Sequence, residues 1–172
     1  MLKYFYLRIF LIFNFKVMAP EKDKYTIAWE KRDAARKEAE KTAILNQQSK
    51  EIKEISTRFD FMTDGRNYML KIDEKVLDMK FKNFEALKNA AVVLARTLRI
   101  YEVNNGSKDK KPKFYEKGGE IFVNNGIIDD TKYMSSTLTS LFLKRSSTLS
   151  PEGRAEIQRL ADFLNEVVGV KN

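Results

Sequence analysis

The chain has 172 residues, of which 43% are hydrophobic and 33% charged, a balance that suits one folded domain with a real core and argues against wholesale disorder. It contains no cysteine and no histidine, which excludes disulfides, zinc fingers, thiol nucleophiles, imidazole metal ligands and Ser-His-Asp triads. The formal charge of +8 points toward nucleic acid, but it is unevenly placed: residues 1–17 hold Lys3, Arg8 and Lys16 with no acid, and Asn104–Gly118 holds five lysines against Asp109 and Glu116. The other 140 residues carry 24 basic and 22 acidic side chains, so the body of the chain is close to neutral.

Residues 1–20 form a hydrophobic, basic N-terminal segment, followed by a single α-helical domain expected over 21–172. Arg8 interrupts the apolar run, which leaves it short of a membrane span and unlike a secretory core. A mitochondrial presequence or a membrane anchor remains open, as does a misplaced start, because Met18-Ala19-Pro20-Glu21 suits the beginning of a chain. The expected location is intracellular: cytoplasmic if the chain starts at Met18, otherwise mitochondrial or membrane-associated. Any membrane contact would run through residues 1–17.

From Lys22 to about Arg58 there is no Gly or Pro, and strong helix formers abound. Leu45, Gln48, Ile52, Ile55, Phe59 and Met62 step by three and four, a helical stripe too short for a coiled coil. Trp29 stands in the alanine-rich, polar first half with Tyr25. Thr63-Asp64-Gly65 is turn chemistry. An EF-hand there fails, because Met62, Asn67 and Lys71 fall where calcium needs an oxygen ligand, an apolar residue and a bidentate Glu.

A second helix is expected over Asn67–Val103, with Met69, Ile72, Val76 and Met79 on one face and Phe84, Leu87, Ala91, Leu94, Leu98 and Tyr101 on the next. Asn104-Asn105-Gly106 offers a left-handed cap. Two helices joined by a short turn pack as a long antiparallel αα-hairpin. Short strand-like runs follow at Lys113–Glu116, Glu120–Val123 and Gly126–Ile128, a small β-meander with Gly118-Gly119 at one turn. Asp129 or Asp130 would cap a helix to about Lys144, bearing Met134, Leu138, Leu141 and Phe142. In the last helix Ser150 is the N-cap, Pro151 takes the first position and Gly169 ends it. The expected fold is thus mainly α, a helical bundle of a long hairpin, a small meander and two C-terminal helices.

Little chemistry survives the exclusions. No phosphate-binding glycine loop or nucleophile elbow is present. The adjacent acids Asp73-Glu74 and Asp129-Asp130 read as helix caps. No enzyme activity, metal or cofactor is expected. The leading expectation is a helical interaction or assembly subunit with a protein partner or a second copy, engaged through Trp29, Leu45, Ile52, Ile55 and Phe59. The alternative is a sequence-nonspecific nucleic-acid-binding accessory protein. Its contacts would be Lys108, Lys110, Lys111, Lys113 and Lys117, with Phe114 and Tyr115 interleaved for stacking. Ser146, Ser147 and Thr148, after Lys144-Arg145, are candidate phosphorylation sites at the start of the last helix.

Overall fold

Two three-stranded antiparallel sheets, each followed by a helix, replace the expected helical hairpin. The computed structural model describes residues 23–124, 131–142 and 149–170. The chain divides into two compact units, residues 1–44 and 45–172. Helix α1 (Lys24–Ile55) supplies the described part of the first unit and opens the second.

The first sheet lies where the long helices were expected to run. Strands β1 (Phe59–Thr63), β2 (Tyr68–Ile72) and β3 (Lys75–Val76) pair in that order. Phe59 lies opposite Ile72, and Phe61 opposite Leu70. Alternation along β1 and β2 therefore sends Phe59, Phe61, Leu70 and Ile72 to one face. Phe61, Tyr68 and Phe84 gather there with ring centroids about 6 Å apart. Asp64 builds the first turn by accepting from the amides of Arg66 and Asn67, at 2.8 and 2.7 Å. Asp73 and Glu74, expected as a helix cap, form instead the two-residue turn into β3, both with positive φ. Asp73 is held there by Arg58, whose Nε donates to its carboxylate at 2.8 Å.

Helix α2 (Phe84–Asn105) is shorter than the expected second helix. Asn83 caps it by accepting from the Ala86 amide. Leu87, Ala90, Ala91, Leu94 and Leu98 are buried, and Lys88 bonds Glu51 at 2.7 Å to tie α2 to the end of α1. Gly106 closes α2 in the right-handed region, at φ −61°, not in the left-handed cap expected. A glycine is still required, because a Cβ would stand 2.6 Å from the Glu102 carbonyl oxygen.

The second sheet pairs β4 (Lys113–Lys117), β5 (Glu120–Asn124) and β6 (Thr131–Met134) in that order. The first two strands lie where the sequence indicates, turning through Gly118 and Gly119 at positive φ. The expected third run, Gly126–Ile128, lies outside the described residues. Thr131–Met134 is strand where helix was expected, and only the short α3 (Ser136–Thr139) follows. β-Branched and aromatic residues at Thr131 and Tyr133 favour the extended form over a helix.

Helix α4 (Pro151–Val168) has Ser150 as N-cap and Gly169 as a left-handed C-cap. Its stripe of Ile157, Leu160, Ala161, Leu164 and Val168 is buried. Asn165 lies on the same side, and its amide hydrogen-bonds both polar backbone groups of Phe114. Gln158, two turns earlier, accepts from the Glu116 amide at 3.1 Å. Helix α4 thereby covers the free edge of β4, which would otherwise present unpaired N–H and C=O groups.

Candidate interaction surfaces

Strand alternation decides which members of the basic, aromatic segment can meet a ligand. Phe114 points inward and is 1% exposed, with ring centroids of Tyr101 and Tyr133 at 4.7 and 5.6 Å. This corrects the expected stacking role, because a ring held on these sides offers no face to a base. The loop before it is also anchored. Tyr101 donates its hydroxyl to the Pro112 carbonyl at 2.6 Å, and burial pushes the pKa of that hydroxyl up to about 12. Lys111 donates to the Val168 carbonyl at 2.9 Å and so caps the end of α4.

The remaining members stay outside. Lys108, Lys110 and Lys113 are exposed and enter no ion pair among the described residues. Tyr115 and Lys117 share the outward face of β4 with Lys113. The register sets Tyr115 opposite Phe122 and Phe122 opposite Lys132, one row across three strands. The Tyr115 and Phe122 rings are 6.1 Å apart, and the Lys117 amine lies 5.7 Å from the Phe122 ring centroid. Lys132 also pairs with Glu120 at 3.3 Å. Phe122 and Lys132 were missed in the sequence. A two-residue Gly118-Gly119 turn fixes the pairing of 117 with 120, and counting back from it sets 115 against 122.

The five expected protein-interface residues separate in the structure. Ile52 and Phe59 are 0% and 1% exposed and belong to the core of the second unit, with half-buried Ile55 packed against it. The structure places these three in the interior and not on an interface, because the helix stops at Ile55 and Phe59 enters β1, so all three join the core of the second unit. Leu45 is half-buried. Trp29 stands apart at 66% exposed, with Tyr25 at 87%. Across residues 24–44 only Asp33 is as much as half-buried, and it accepts from Arg36 and Lys37 one turn later, at 2.8 and 2.7 Å.

A surface groove of about 390 Å³ runs beside α2, lined among others by Phe59, Val92, Leu98, Arg58, Arg96 and Arg99. Arg58 is neutralised there by Asp73 and Glu102, whereas Arg96 and Arg99 enter no ion pair among the described residues. Ser146, Ser147, Thr148 and the N-terminal segment lie outside the described residues. Among the described residues no cluster of acidic side chains could hold a metal ion, and no helix is long and apolar enough to cross a membrane. A comparison with known protein families, curated proteins and solved structures finds no match for the chain.

Proposed function

We propose that this protein is a non-enzymatic interaction subunit that joins a protein partner or a second copy of itself through helical residues 24–44. The observation that carries this reading is the exposure of Tyr25 and Trp29 on a helical segment that buries none of its side chains. Ion pairs one turn apart contribute a few tenths of a kcal/mol each, and most helices in proteins are held by a packed face instead. Tyr25, Ala28, Arg32, Ala35, Ala39 and Thr42 follow one another at steps of three and four along this segment. The alanines at 28, 35 and 39 leave room on this stripe for a second helix. Tyr25 at its start and Trp29 beside it are of the types that anchor protein interfaces.

Purification from the native source, with sedimentation of the isolated chain, tests the reading. A stable co-purifying polypeptide or a self-associated chain is expected, lost or weakened by Trp29→Ala with the fold retained. A monomer that captures nothing contradicts it. The reading as a nucleic-acid-binding accessory protein draws on a different surface, the second sheet.

A further inference from the structure

We propose that the outward face of the second sheet binds single-stranded nucleic acid without sequence preference, with Tyr115 and Phe122 stacking on bases and Lys113 and Lys117 holding phosphates. The outward face of an antiparallel sheet is ordinarily polar. Here its central row is Tyr115, Phe122 and Lys132, and both rings are only half-buried. Cross-strand aromatic pairs do stabilise sheets. Of the cations around it, Lys132 pairs with Glu120 and Lys117 lies over the Phe122 ring, while Lys113 is left for a ligand. Lys113 and Lys117 stand roughly 7 Å to either side of Tyr115 along β4. Lys113 has no acidic partner among the described residues, and Lys108 and Lys110 extend the cationic line into the loop that leads to the strand.

The chemistry selects the ligand. Half-exposed rings on a sheet face suit unstacked bases, which a duplex keeps in its own stack. A base on Phe122 takes the side over which the Lys117 amine now lies, as that amine moves to a phosphate. Lysine supplies point charges without the fork by which arginine reads guanine, so binding follows the backbone and not the sequence. An acidic protein or a polyphosphate would satisfy the lysines but leave the rings unused. This site shares no residue with helix 24–44, so either proposal can fail while the other stands.

The test is fluorescence anisotropy of the full chain with labelled oligothymidylate, the matching duplex as a second probe, and polyphosphate as competitor. The single strand is expected to bind more tightly than the duplex, with affinity falling steeply between about 50 and 200 mM salt. Lys113→Gln and Lys117→Gln should each reduce the slope of log affinity against log salt by about 0.7. Phe122→Leu should weaken binding about tenfold, and Tyr115→Phe should leave it intact while Tyr115→Leu does not. Circular dichroism identifies any variant that fails to fold, and the lysine and Tyr115→Phe variants carry the test if Phe122→Leu does. Equal binding of duplex, equal competition by polyphosphate, or indifference to the Tyr115→Leu and lysine substitutions overturns the proposal.

Discussion

Asn165 holds Phe114 by both of its backbone polar groups, accepting from the amide at 2.7 Å and donating to the carbonyl at 2.9 Å, while itself only 2% exposed. Asn165→Leu keeps the bulk and leaves both backbone groups unpaired at a covered strand edge. We expect a loss of about 2–4 kcal/mol, read as a lower urea midpoint at unchanged slope. At the surface, Asp64 is governed by a different force. Hydrogen bonds from the Arg66 and Asn67 amides hold its pKa at about 2, below the ordinary 3.8. The stabilisation from its charge is therefore complete above 3.8 and is lost as the pH falls toward 2. Asp64→Asn keeps the acceptor oxygen without the charge. The stability gap between wild type and Asp64→Asn should hold from neutral pH to about 4 and close below it, as followed by denaturation at several pH values.

The turn between β2 and β3 is an element built against local preference. Asp73 and Glu74 adopt φ of 47° and 68°, a conformation that two-residue hairpin turns require and that Asn-Gly meets more readily. Arg58 pins Asp73, whereas Glu74 is exposed and pairs, among the described residues, with Lys71. Glu74→Gly should therefore stabilise the protein by about 0.5–1 kcal/mol, and Asp73→Gly should not, in thermal unfolding. The same turn explains why the first sheet was illegible. No Gly or Pro lies between Gly65 and Gly106, Asp-Glu carries no hairpin signal, and Met69, Ile72, Val76 and Met79 satisfy helical spacing. The competing alternation of Tyr68, Leu70 and Ile72 spans only five residues, too few to outweigh it. Where punctuation was present, the elements could be read. Gly118-Gly119 marks the β4–β5 hairpin, and Ser150, Pro151 and Gly169 mark both ends of α4. The basic segment was legible as lysine and aromatic chemistry. Which ring faced inward was not, because that depends on packing against α2 and α4.

At the scale of the whole molecule, the two units are stabilised in different ways. The second draws one core from both sheets, α2, α4 and the end of α1, with the free edge of β4 covered by amides of α4. The described part of the first unit has no such core: its side chains face outward, and its single tryptophan is two-thirds exposed. The second long helix gives way to a sheet and a shorter helix, so exposed helical surface of this kind is found at residues 24–44 among the described residues. The most direct test places a photo-crosslinking amino acid at position 29 of the full chain in its native source, with Val103, exposed on α2, as the comparison site. Crosslinks from position 29 to another polypeptide, or to a second copy, are expected in excess of those from position 103. Position 29 yielding none beyond that comparison would contradict the assignment of helix 24–44 as the interaction surface.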